Sequence, residues 1–241
     1  MKEDYNLHLE DSMIYRSLKQ AKQNVEGSEI DQYAKLWDYC HELLSQNPGS
    51  TVKMSTIPQQ EGPPIFHRLY ICFDACKRGF KEGCRPMIGL DGCFLKGYFG
   101  GQLLTAVGGD ANNHIFVIAY AVVDVENKDN WKWFLELLHE DLGDYTRHGW
   151  QFVSDMQKGL IPALQEVMPG VEHRFCVWHL WKNFCKMFKD KQLKDVVWVC
   201  AKSTTPQQFN TEMDKLKAMN KSAWDYLSKF PPNTWSRDYL F

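Results

Sequence analysis

The sequence predicts an α/β fold, and three observations point to it. Three apolar runs, 87–95, 102–107 and 115–123, lie close together and are punctuated by Gly97, Gly100, Gly101, Gly108 and Gly109. That is the pattern of antiparallel strands joined by tight or bulged turns. Beyond them, stripes of helical period alternate with short extended runs at 151–154 and 172–176. Finally, two of the extended runs end on a carboxylate, at Asp91 and at Asp155.

Composition narrows the class. With 241 residues, 44% hydrophobic and 24% charged, the chain is globular and long enough for one domain or two small ones. No run approaches the roughly eighteen apolar residues of a membrane span, and the N-terminus lacks the pattern of a signal peptide. A soluble intracellular protein with no membrane partner is expected. The eight cysteines are scattered among apolar residues, so reduced thiols are expected. A formal net charge of -2 means that any surface for nucleic acid must be local.

In chain order, Leu7, Ile14, Leu18, Ala21 and Val25 fall on one helical face over 3–25. Ser28 can cap a second helix carrying Ile30, Tyr33, Ala34, Trp37, His41 and Leu44, which residues 47–50 stop. Candidate strands at 51–54 and 66–73 and a short helix over 74–85 suggest a small α+β module leading into the main domain. After the three strands, Asn130 is the expected cap of a helix that buries Trp131, Phe134, Leu135, Leu138 and Leu142. A strand at 151–154, a helix over 158–167, a strand at 172–176 and a helix with Val177, Trp181, Phe184 and Phe188 on its buried face follow. Helices carrying Phe209, Met213 and Leu216, and then 223–230, close the chain before Pro231 and Pro232. Pro206 suits a helix N-terminus.

The core order is therefore three strands, helix, strand, helix, strand, helix. It is the order of a ribonuclease-H-like fold with helical N- and C-terminal extensions, in which the first and fourth strands are neighbours. Asp91 and Asp155 sit on those two strands. Either residue alone could simply end a strand or cap a turn. Side by side, two carboxylates repel, and a divalent cation would offset the repulsion.

Several segments resemble the transposases of Mutator-like elements (MULEs), plant type. They are residues 47–50, Cys84-Arg85-Pro86, the 88–96 segment around Asp91, 100–106, Asn130 to Phe134, Ser154-Asp155, His173 to Leu180 with Asn183-Phe184, and 235–237. The resemblance implies a DDE-type core in which two Asp residues and a later acidic residue hold Mg²⁺ or Mn²⁺, and a water or a DNA 3′-hydroxyl attacks a phosphodiester. Asp91 and Asp155 match the first two positions. The third is expected in the stretch at 204–209, where Gln207 and Gln208 stand, and Glu212, one turn further along, is the candidate substitute. Cys176 and His179 match the family's Cys/His signature. They could hold Zn²⁺ with His173 and Cys185, or be a buried thiol beside a hydrogen-bonded imidazole.

The division this implies is an N-terminal α+β region over 1–85, a ribonuclease-H-like MULE transposase domain over 86–202 and a partial C-terminal helical region over 203–241. The flanking zinc-finger segments of relatives are not visible in the chain, so a truncated element is expected. Lys182, Lys186 and Lys189 are candidate phosphate contacts, or a solvated helix face. The expected partners are transposon-end DNA and further copies of the chain, with no small-molecule substrate, and the implied location is the nucleus. The alternative is a domesticated transposon-derived nuclear protein that binds DNA or regulates transcription without catalysis. A Cys93 or Cys176 nucleophile with His179 lacks an oriented base and an oxyanion site. Gly108-Gly109-Asp110 lacks the Lys-Ser/Thr of a phosphate loop.

Overall fold

One strand sets the layers of the molecule, because it is buried on both faces. Its Tyr70 and Cys72 face one core and its Leu69 and Ile71 another, the period-2 alternation of an internal strand. The computed structural model describes residues 10–27, 29–97 and 99–236. Leu7, Ser28 and Arg237, which enter the sequence reading, lie outside the described residues.

The elements run α1 (Asp11–Glu26), α2 (Glu29–Ala34), α3 (Leu36–Gln46), β1 (Thr51–Ile57), β2 (Ile65–Cys72), α4 (Asp74–Gly83), β3 (Met87–Phe94), β4 (Gln102–Gly109) and β5 (Ile115–Val123). They continue with α5 (Lys128–Leu142), α6 (Tyr145–His148), β6 (Gln151–Ser154), α7 (Leu160–Val167), β7 (Glu172–Phe175), α8 (Val177–Met187), α9 (Lys191–Lys202), α10 (Pro206–Met219) and α11 (Lys221–Leu227). Seven strands form one mixed sheet in the order β1-β2-β5-β4-β3-β6-β7. Pairing is antiparallel from β1 to β3 and parallel for β3–β6 and β6–β7. The two strands before residue 85 thus extend the same sheet. Among the described residues no helix is long and apolar enough to cross a membrane.

Helices α5 and α7 cover one face of the sheet, and Trp131, Phe134, Leu135, Leu138, Leu142, Leu160 and Leu164 meet Ile88, Leu90, Leu104 and Phe152 there. Each side chain of this size contributes roughly 1.5–3 kcal/mol relative to exposure. On the other face α3 sets Cys40 against Leu69 and Ile71. Helices α8 to α11 build a further core around Leu180, Phe184, Val197, Leu216 and Trp235. Buried Arg174 of β7 ties this part to the sheet, donating to the carbonyls of Asn233, at 2.7 Å, and Ser236.

The expected helical faces of α5 and α10 are buried as read. Other elements differ from expectation. Helix α1 forms, but Ile14, Leu18, Ala21 and Val25 stay exposed, because no described element packs on that stripe. The second N-terminal helix breaks at Lys35 into α2 and α3. Asn127, not Asn130, caps α5, its side chain accepting from Asn130 N at 2.8 Å. Asn130 is instead buried, donating to Asp124 and to the Val125 carbonyl and accepting from Arg68. Helix α9 was not anticipated as a separate element, and Asp190 caps it by accepting from Gln192 N at 2.7 Å.

Candidate active site

The pairing register of β3 and β6 decides where the two aspartates fall. Met87 pairs with Gln151, Ile88 with Phe152, Gly89 with Val153 and Leu90 with Ser154. Parallel neighbours lie about 4.8 Å apart. The next residue on one strand is Asp91 and on the other Asp155, so both carboxylates are carried to the same end of the sheet. Strand β7 continues the row, since Phe175 pairs with Ser154 and is followed by Cys176.

The ends of these strands are pinned. Asp91 Oδ1 accepts from Gly92 N at 2.9 Å, and the Asp91 carbonyl accepts from Thr105 Oγ1 at 3.1 Å. Buried Ser154 donates its hydroxyl to the Asp155 carbonyl at 2.8 Å, and its own carbonyl accepts from Cys176 N at 2.6 Å. His173 Nε2 lies 2.8 Å from Ser154 Oγ. With the serine hydrogen committed to Asp155, the imidazole is the donor there. Asp155 Oδ1 accepts from Gln157 N at 3.0 Å. The Gln157 side chain then caps α7, accepting from Gly159 N and Leu160 N, and donates to the Glu126 carbonyl at 3.2 Å. A Cβ on Gly159 would stand 2.7 Å from Lys128 N, so the loop after Asp155 fits against residues 126–128 only because that side chain is absent.

Burial pushes the His173 imidazole below the usual histidine range. A depressed folded-state value favours the neutral ring. Its contribution is complete above the unfolded value of about 6.5 and is lost as pH falls through the folded value. Urea midpoints at about pH 7.5 and about pH 5.5 should therefore fall further for the unmodified chain than for His173→Gln. Equal falls would remove His173 from the acid-side loss of stability.

A third carboxylate reaches this end of the sheet, and it is one the sequence reading passed over. Glu126 follows β5 by three residues. A Cβ on Gly92 would meet its carboxylate at 2.9 Å, which places the Glu126 head over the residue next to Asp91. The Trp131 indole N–H donates to Glu126 Oε1 at 3.1 Å. The buried Gln102 amide faces it as well, and with its oxygen and nitrogen assigned the way that satisfies both groups it donates to Oε2 at 2.9 Å and accepts from Glu126 N at 3.2 Å. Burial raises the Glu126 carboxyl above its ordinary range and the Trp131 hydrogen bond lowers it, while the charges of Asp155 and Asp91 raise it further. Glu126 therefore feels the charge of both aspartates. The signal was present in the sequence: the apolar run 115–123 also ends on acidic residues, Asp124 and Glu126.

The other sequence candidates are distributed as follows. Glu212 lies on α10, in the helical part of the chain, paired with Lys215 at 2.6 Å. Cys176 sits immediately before α8 and His179 in its first turn, with His179 Nδ1 enclosed and lacking a hydrogen-bond partner among the described residues. His173 is committed to Ser154, and among the described residues no three His, Cys, Asp or Glu side chains are grouped so as to hold one metal ion. Among the described residues none of the eight cysteines is joined in a disulfide. Lys182, Lys186 and Lys189 are exposed, Lys182 over the Trp178 ring and Lys186 donating to Asn183, while Lys189 falls beyond the end of α8.

Comparison with known families meets this geometry at the same residues. The model of the MULE transposase domain matches residues 87–183, from the start of β3 into α8. The matched segment holds Asp91, Glu126, Asp155, Cys176, His179 and Lys182, whereas Lys186, Lys189 and Glu212 lie C-terminal to it. No curated protein matches the chain.

Proposed function

We propose that the MULE transposase domain is a ribonuclease-H-like nuclease core that cuts and joins DNA, with Asp91 and Asp155 as ligands of Mg²⁺ or Mn²⁺. The observation that carries this reading is the in-register parallel pairing of β3 and β6, which sets the two aspartates abreast at one end of the sheet. The donor set fits such ions, because carboxylate oxygens suit hard divalent cations. When bound, the metal ions stabilise the attacking and leaving oxygens of an in-line displacement at phosphorus.

The chain's own residues hold that set in place. Gly92 N and Gln157 N orient Asp91 and Asp155, Ser154 and His173 fix the backbone at Asp155, and Trp131 and Gln102 aim Glu126. In this reading the third acidic group is Glu126, supporting the two ligands from outside, and not Glu212, whose carboxylate is engaged by Lys215. The substrate is transposon-end DNA in the nucleus, handled by more than one copy of the chain.

Titrating Mn²⁺ into the purified chain by calorimetry, beside a plasmid-nicking assay, tests the proposal. Saturable binding together with metal-dependent nicking is the expected result. A folded chain that takes up no Mn²⁺ above a buffer control would sink it.

A further inference from the structure

The molecule carries an aromatic surface that the cleavage chemistry does not use. Trp178, the second residue of α8, is 47% exposed. Its ring lies nearly parallel to that of Trp181, with centroids 5.1 Å apart and planes at 21°. Trp181 in turn tilts against half-buried Trp198 of α9 at 6.1 Å. Three core pairs behave differently: Trp131 on Phe134, Tyr70 on Phe134 and Phe209 on Trp235 meet edge to face. Edge-to-face and offset-stacked arrangements both satisfy the ring quadrupoles, so energy alone does not require the stack. What the stack adds is a flat π surface at the protein's exterior.

Cations surround it. Lys182 Nζ stands 5.0 Å from the Trp178 ring and Lys202 Nζ 5.9 Å from the Trp198 ring. Residues 177–202 hold six lysines against two aspartates, in a chain whose formal net charge is -2. A locally basic stretch of the kind that overall composition requires of a nucleic-acid binder is therefore built around these three tryptophans. Its position is also fixed. The Cys176 N–H bonds to the Ser154 carbonyl, so α8 starts beside the residue that precedes Asp155, and Trp178 follows two residues later.

We infer that Trp178 and Trp181, flanked by Lys182 and Lys202, form a stacking platform for unpaired bases of a DNA single strand leading to or from the Asp91–Asp155 end of the sheet. The inference rests on the DNA-cleaving reading above and names which form of DNA this face takes. Every base has a π face, so stacking tolerates any sequence, while the lysines meet the phosphates that accompany the bases. Lys182 and Lys202 alone would bind duplex and single strand alike. The rings add a contact that only an unstacked base can use.

The test is a pair of fluorescence-anisotropy titrations of the full chain, with a labelled oligothymidine strand and with a blunt duplex of the same length, both without divalent metal. Trp178→Ala is expected to weaken single-strand binding about tenfold while changing duplex binding by less than about twofold, in line with the usual loss on removing one stacked base contact. Trp178→Phe should recover most of the loss. Lys182→Ala should weaken both ligands and lower the salt dependence of each by about one phosphate contact. Equal losses for strand and duplex on Trp178→Ala, or no loss for either, would overturn the platform. Should Trp178→Ala not fold, Trp178→Gln and the Phe variant carry the same comparison. Binding to the duplex but not the strand refutes the platform and leaves the DNA reading standing, and binding to neither refutes both.

Discussion

Replacing Asp141 by alanine is expected to cost the fold roughly 3–5 kcal/mol, the usual penalty for removing one partner of a buried ion pair. Asp141 is in the last turn of α5, and its side chain is 6% exposed. Lys77 of α4 stands 2.8 Å away and is 13% exposed. Thr51 Oγ1 of β1 donates to the same carboxylate at 2.6 Å and the Tyr70 hydroxyl of β2 at 2.8 Å, so three other elements converge on it. Lys77 also donates to Thr51 Oγ1 and to the Gly49 carbonyl. Truncation leaves a lysine charge, a phenol and a hydroxyl without their shared acceptor in a region poor in water. Burial, with Cys72 and Asp141 nearby, holds the Tyr70 phenol protonated far above its ordinary range, and burial pushes the Cys72 thiol up to about 12. Neither group will ionise to compensate. For a chain of this size the loss corresponds to a fall in Tm of roughly 6–20 °C. The double variant Lys77→Met/Asp141→Leu should recover the part due to the uncompensated lysine charge, since a buried pair exchanged for apolar groups is often neutral, while Tyr70 and Thr51 still lack their acceptor. Urea unfolding of the three chains decides the matter. A single-variant loss below about 1 kcal/mol would show that the network is open to solvent.

The parts of the molecule that could be read from the sequence are those whose signals are local. Apolar runs with glycine punctuation located β3, β4 and β5, and the Trp131, Phe134, Leu138 stripe located α5 with its buried face. An apolar run ending on a carboxylate located Asp91 and Asp155. The same rule applied to the run ending at Val123 would have found Glu126, but Asp124 and Val125 intervene, and the search for a third acid went downstream to Glu212. Asn127 and Asn130 are both good caps by residue type. What separates them is tertiary, since Asn130 is drawn into the buried bonds with Asp124 and Arg68. The stripe of α1 shows the opposite failure, because amphipathic periodicity specifies a face without specifying that anything covers it. The lysine-rich stretch that begins α9 reads as solvated chain, and only the Asp190 cap and the burial of Leu193, Val197 and Cys200 reveal the helix. The exposure of Trp178 has no local signature, because on a helical wheel it is simply one more aromatic. Least readable of all was the register of β3 on β6, a pairing across some sixty residues of chain that no neighbouring residue encodes.

That register makes the largest effect the one on chemistry. Asp91→Asn and Asp155→Asn are each expected to leave the fold intact and to lower metal-dependent nicking about a thousandfold, the ~4 kcal/mol that loss of a single preorganised electrostatic group costs at the top of its range. Asparagine keeps an oxygen acceptor for Gly92 N or Gln157 N, so the strand ends stay pinned. What it removes is one negative charge from the end of the sheet where Glu126 feels both aspartates, and charge is what binds a hard divalent cation. Either substitution alone should therefore abolish the calorimetric Mn²⁺ signal. Glu126→Gln should fall between, lowering nicking about ten- to a hundredfold, as a group that supports the ligands from outside does. Glu212→Gln should change nothing, its carboxylate being engaged by Lys215 on α10. The ordering of the four variants carries the argument. If Glu212→Gln were the damaging change and Glu126→Gln the silent one, the third acid would come from the helical part of the chain. The face formed by β3, β5 and β6 would then be only two-thirds of the site.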